Sequence, residues 1–132
     1  MSRREMREQL FKLLFRVEFN PREELAQQEA FFFEDEENDT AEEENSEISE
    51  KFNKIIEKLD EIDGLLNAKV QGWDTARMGK VDLTILRLAV YEIMHDGEVP
   101  TGVAINEAVE LAKKFGQDSS PSFVNGVLAK FA

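Results

Sequence analysis

The chain has 132 residues, 28 acids against 16 Lys and Arg, and a formal net charge of −12. It has no cysteine and a single histidine, which excludes disulfides, thiolate metal sites and a cysteine nucleophile. Thirteen of the acids fall between residues 23 and 50, a stretch without Lys or Arg. The rest carries 15 acids against 16 bases, so the acidity describes one segment of an otherwise near-neutral domain and does not exclude a nucleic-acid partner.

Ser2 with Glu5 three residues later is a capping box and predicts a helix from the N-terminus to about Phe19. Met6, Leu10, Leu13, Leu14 and Val17 form its core stripe, and Phe11, Phe15 and Phe19 form a second. Asn20-Pro21-Arg22-Glu23 reads as a second helix start, with Asn20 as N-cap and proline at the first position. Residues 34–45 are nearly devoid of apolar side chains and read as a solvated acidic loop.

A third helix is expected to place Ile48, Phe52, Ile55, Ile56, Leu59 and Ile62 on one face, and Asp63 then caps a short fourth that ends near Gly72. From about Gly79 to His95 the sequence is apolar over most of the helix circumference, which belongs at the centre of a bundle. Gly97 and Pro100 break it. Further helices are expected over Val103–Phe115, stopped by Gly116, and from Ser119-Ser120-Pro121 onward. Strict alternation is absent, so the fold class is all-α.

Chemistry is scarce. His95 sits at a helix C-terminus, where an imidazolium suits the dipole, and no Ser-His-Asp arrangement forms without it. The carboxylate pairs lie on exposed faces, and no phosphate-cradling glycine motif occurs. No catalytic residue, metal ligand or cofactor site is expected, and an enzyme is not. No apolar run reaches the roughly 20 residues that span a bilayer, and Met1-Ser2-Arg3-Arg4-Glu5 does not open a signal peptide. A cytoplasmic protein is expected. The positive charge is more telling. Arg3, Arg4, Arg7, Lys12 and Arg16 share the first helix with Glu5 and Glu8. Arginine forks suit phosphates and bases, with Phe11 or Phe15 nearby to stack, although a solvated face reads the same way.

The C-terminal third contains LRLAVYE (residues 86–92), VAINEAVELAKKFG (103–116) and FVNGVL (123–128). In this order and spacing, with Trp73 and Arg77, these stretches closely resemble the NusB family of bacterial transcription antitermination factors over roughly residues 62–130. The N-terminal arginines and the Leu-Phe pattern match more loosely, and residues 20–50 match poorly. The resemblance implies a single NusB-like all-α domain of two small helical subdomains, about 1–70 with an acidic insertion at 34–45, and about 71–132. It implies a factor that binds single-stranded boxA RNA of ribosomal RNA operons together with NusE, a small-subunit ribosomal protein, within the transcription elongation complex. Monomers and homodimers both fit.

By position, Arg3, Arg4 and Arg7 correspond to the family's arginine-rich RNA-binding start, and Phe123 to an aromatic at the RNA surface; Lys12, on the same helix, and Ser119 complete the RNA-binding candidates. Ser119 and Ser122 stand where many members have Asp and Lys. Phe15 and Asp82 fall on the expected NusE-facing surface. Each aromatic has a second reading: Phe123 as a staple of the last helix, Phe15 as a buried side chain. The alternative function is a helical protein-interaction module of the same fold that has lost specific RNA binding.

Overall fold

Seven α-helices and three short 3₁₀ turns make up the described part of the chain, a computed structural model that covers residues 1–35, 42–70, 72 and 74–132. They fall into two compact units, Met1–Ile56 and Glu57–Ala132. The division lies upstream of the subdomain break expected near residue 70. Trp73 and residues 36–41, which include Glu36, Glu37 and Asp39, lie outside the described residues.

In the first unit, α1 (Arg3–Phe15) begins with the expected capping box. The Glu5 amide donates to Ser2 Oγ at 3.0 Å, and the Ser2 amide donates to Glu5 Oε1 at 3.4 Å. The helix stops earlier than expected and tightens into a 3₁₀ turn over Arg16–Glu18. Asn20 closes this end rather than opening the next helix, because its side-chain amide donates to the Arg16 carbonyl at 2.9 Å. Pro21 precedes a second 3₁₀ turn, Arg22–Glu24, and α2 (Leu25–Glu34) starts only afterwards, without a side-chain cap. Arg16 ties α1 to α2. Its guanidinium donates to the Gln28 carbonyl and Oε1 at 3.3 and 3.1 Å and lies 5.5 Å from the centre of the Phe32 ring.

Helix α3 (Glu42–Glu57) takes residues 42–45 out of the expected acidic loop. Three consecutive carboxylates, Glu42 to Glu44, occupy its first turn, where negative charge stabilises the unpaired amides. The acidity of this stretch is thus partly a helix-start signal. Ser49 Oγ donates to Glu29 Oε1 and joins α3 to α2. The core of this unit comes from all three helices: Leu10, Phe11, Leu13 and Leu14, then Leu25 and Phe32, then Ile48, Phe52 and Ile55.

In the second unit, α4 (Leu59–Lys69) follows a break at Lys58, so Leu59 and Ile62 belong to it and not to the third helix. Asp63 therefore sits inside α4 and caps nothing. Its carboxylate instead takes a two-pronged bond from Arg87, Nε–Oδ1 at 2.9 Å and Nη2–Oδ2 at 2.8 Å. Helix α5 (Lys80–His95) is buried without interruption from Leu83 to Glu92 and packs against α4, α6 (Thr101–Phe115) and α7 (Ser120–Leu128). Its all-round apolar sequence is explained by this central position. Within the helix, Thr84 satisfies its buried hydroxyl on the Lys80 carbonyl at 2.8 Å. At its end, His95 Nε2 lies 3.5 Å from Glu61 Oε2.

A last 3₁₀ turn, Ala129–Phe131, returns to α4. Lys69 Nζ donates to the Lys130 carbonyl at 3.3 Å and Lys130 Nζ to the Lys69 carbonyl at 3.2 Å. The Lys69 ammonium also lies 5.2 Å from the centre of the Phe131 ring. Among the described residues, no helix is long and apolar enough to cross a membrane.

Candidate nucleic-acid interface

The capping box does more than start α1. It occupies the Glu5 carboxylate with the Ser2 amide, drawing the one acid among Arg3, Arg4 and Arg7 toward the helix axis. Arg3, Arg4 and Lys12 are exposed and Arg7 is half-buried. The acidic first turn of α3 approaches the same end of α1, for Glu44 Oε2 lies 3.1 Å from the Met1 amino nitrogen. That hydrogen bond and the charge behind it hold the Met1 ammonium above its ordinary pKa of 8.0.

Further along α1 the second apolar stripe becomes a ladder of rings. Phe11 and Phe15 stack with centres 6.1 Å apart, and Phe15 meets Phe19 edge-on at 5.1 Å. Burial falls from Phe11 at 4% exposed, through a half-buried Phe15, to Phe19 at 59%. Phe15 is therefore a shared rung, packed on one side by a buried ring and on the other by an exposed one.

The second unit holds a cleft of about 610 Å³ where the start of α5, the end of α6 and the start of α7 converge. Asp82, Ser119 and Phe123 all line it, so one partner-binding candidate and two RNA-binding candidates share a single depression. Lys80 and Phe115 line it too. Neither stood out in the sequence, because only the packing of three helices brings them to one place. Arg3, Arg4, Arg7, Lys12 and Phe15 belong to the other unit.

The wall of the cleft depends on an unusually close approach. Gly116 is extended, with φ −93° and ψ −169°, so its conformation does not demand glycine. Space does: a Cβ there would lie 2.6 Å from both Cβ and Oγ of Ser120 and 2.7 Å from the Ala112 carbonyl oxygen. The buried Ser120 hydroxyl accepts the Gln117 amide at 3.0 Å, and the Phe123 amide donates to the Ser119 carbonyl at 3.1 Å. Ser119 stands at the N-cap position without a side-chain cap bond, and Ser120 instead holds the loop before α7 through the Gln117 amide. Together these contacts fix the direction in which Phe123, half-buried, leaves α7. Across the cleft, Asp82 Oδ1 is buried with no hydrogen-bond partner among the described residues. Among the described residues, no group of His, Asp and Glu converges as a metal site would require.

These features have counterparts in known proteins. The model of the NusB family matches residues 4–132. A transcription antitermination protein NusB of Agathobacter rectalis is 55% identical over 132 residues, with both chains covered completely. The structure of a NusB from T. maritima superposes with a TM-score of 0.84 at 34% identity, covering 100% of this chain and 91% of that one. A structure of antitermination factors NusB and NusE in complex with dsRNA shares the fold, with a TM-score of 0.78 at 24% identity, covering 98% of this chain and 94% of that one. The family match spans nearly the whole sequence, including the poorly patterned residues 20–50, and the chain belongs to the NusB family.

Proposed function

We propose that this protein is a transcription antitermination factor that binds boxA RNA of ribosomal RNA operons together with a NusE-like small-subunit ribosomal protein, within the elongation complex. The observation that carries the reading is the shared cleft, in which an aromatic and a hydroxyl suited to RNA, Phe123 and Ser119, sit beside the Asp82 carboxylate. In this reading Arg3, Arg4, Arg7 and Lys12 hold phosphates while Ser119 and Phe123 meet the RNA at a second point. The partner docks on the Phe15 ladder and supplies a donor to Asp82. Family membership supports the assignment, as does the fold neighbour crystallised with NusE and RNA.

Gel shift and fluorescence titration against boxA and scrambled RNA, with and without NusE, test it. Arg4→Glu combined with Arg7→Glu is expected to abolish boxA binding while far-UV circular dichroism stays unchanged, since Arg4 is exposed and Arg7 half-buried on α1. RNA affinity unchanged in that variant refutes the site. Equal binding of boxA and scrambled RNA in both conditions points instead to an interaction module without RNA specificity.

A further inference from the structure

In the first unit, two helix starts of opposite charge meet. α1 opens with Arg3, Arg4 and Arg7 in its first two turns, although cations at a helix N-terminus oppose its dipole. α3 opens with Glu42, Glu43 and Glu44, which suit that position. The two starts touch where Glu44 Oε2 lies 3.1 Å from the Met1 amino nitrogen. Proximity in sequence does not bring them together. The packing of α3 does: Ile48, Phe52 and Ile55 are buried in the core of the unit. Two polar bonds add to it, for Ser49 Oγ and Asn53 Nδ2 both donate to Glu29 Oε1 on α2, Asn53 at 3.2 Å.

The reach of these carboxylates follows from covalent geometry. Consecutive Cα atoms are about 3.8 Å apart, so Arg3 and Arg4 stand at most roughly 8 and 11 Å from Met1. The screening length is about 10 Å at 0.1 M salt. The first turn of α3 therefore acts on the volume that RNA phosphates must enter to reach the arginines of α1. Glu5 is spent elsewhere, its carboxylate taken by the Ser2 amide. Glu42 and Glu43 are exposed and meet an incoming strand in water. A clamp serving stability alone would need only Glu44.

We propose that the acidic first turn of α3 is an autoinhibitory brake on the α1 arginines, competing with RNA phosphates for them. It holds down the sequence-independent part of RNA affinity, so that contacts able to read bases decide what stays bound. The proposal rests on the reading that Arg3, Arg4 and Arg7 bind RNA, and deepens it by naming what regulates that site.

The test uses the full chain and fluorescein-labelled single-stranded boxA and scrambled oligonucleotides, titrated at several salt concentrations. Two unit charges about 10 Å apart in water shift an equilibrium about twofold. Glu43→Gln with Glu44→Gln should therefore raise affinity about fourfold at low salt, equally for both RNAs, because a screened field reads no bases. The gain should fade above about 0.3 M salt, where the screening length falls below about 6 Å. The control is Glu23→Gln with Glu24→Gln, which removes the same charge from the exposed 3₁₀ turn beyond the far end of α1, about 20 Å of helix away. It should bind as wild type does. A charge added at Ser46 needs no native contact to be lost. Ser46 is exposed, three and four residues after Glu43 and Glu42 and so on their side of α3, and Ser46→Glu should weaken binding about twofold. Circular dichroism should show the helicity of all three variants unchanged.

Wild-type affinity at low salt in both the Glu43/Glu44 and Ser46 variants, while Arg4→Glu with Arg7→Glu abolishes binding, would overturn the brake and leave the RNA-binding reading intact. An equal gain in the Glu23/Glu24 control would assign the effect to net charge and overturn it too. No RNA binding by the wild-type chain or by the Glu43/Glu44 variant would remove both readings.

Discussion

Replacing Gly116 by alanine probes the corner that sets the cleft wall. The added methyl carbon would stand 2.6 Å from two side-chain atoms of Ser120 and 2.7 Å from the Ala112 carbonyl oxygen. Carbon atoms settle at about 3.5–4.0 Å, so α7 must retreat by roughly 1 Å. It resists, because Val124, Val127 and Leu128 are buried in its packing against α5 and α6. Overpacking of this kind costs about 1–3 kcal/mol. With an unfolding entropy of about 2.1 cal/mol/K per residue, a chain of this length loses about 4–11 °C in Tm. Thermal unfolding followed by circular dichroism measures it. Ser120→Gly removes two of the three crowded atoms, so in that background the alanine should cost at least about 0.5 kcal/mol less, a coupling that a double-mutant cycle reports. A Tm for Gly116→Ala within about 1 °C of wild type, or strict additivity in the cycle, would refute the argument that space selects this glycine.

Other consequences are as direct. Asp63→Ala leaves the Arg87 guanidinium, whose side chain is 10% exposed, without its carboxylate. A loss of about 2–3 kcal/mol in urea unfolding is expected, the low end for a buried pair because Asp63 is itself 24% exposed, and adding Arg87→Met should restore most of it. A midpoint for Asp63→Ala equal to that of wild type contradicts this. Phe19→Ser, at an exposed rung, should change stability by less than about 1 kcal/mol yet weaken NusE binding in a pull-down; unchanged capture argues against the ladder as a docking surface. The raised Met1 ammonium contributes stability below pH 8.0 that is lost as pH climbs through its folded value. Glu44→Gln should flatten that dependence in hydrogen exchange of the α1 amides, and a dependence that survives the substitution would place its origin elsewhere.

What could be read from the chain alone follows the range of the interactions involved. The Ser2–Glu5 box was legible because its two halves are three residues apart. Burial of α5 on every side was legible because hydrophobicity around a helix reports its surroundings directly. Asp63 resembles a cap in the sequence because its partner, Arg87, lies 24 residues away and leaves no local trace. Asn20 is ambiguous for a subtler reason: the side chain that can cap a following helix can equally close the preceding one, and here it bonds backward to Arg16. The acidic run hid a helix start, since carboxylates in a first turn and carboxylates in a loop look alike until the apolar face beyond them finds its core. At the candidate site, family pattern picked out Asp82, Ser119 and Phe123 one by one. Their meeting in one cleft, and the presence of Lys80 and Phe115 beside them, is a product of helix packing that no local spacing encodes.

The reciprocal bonds between Lys69 and Lys130 span 61 residues and join the beginning of the second unit to its end. In topological terms the unit is a ring sealed by two ammonium–carbonyl clasps in place of a covalent link. A variant chain cut before Lys130 would keep every helix of the unit and lose the clasp that closes it.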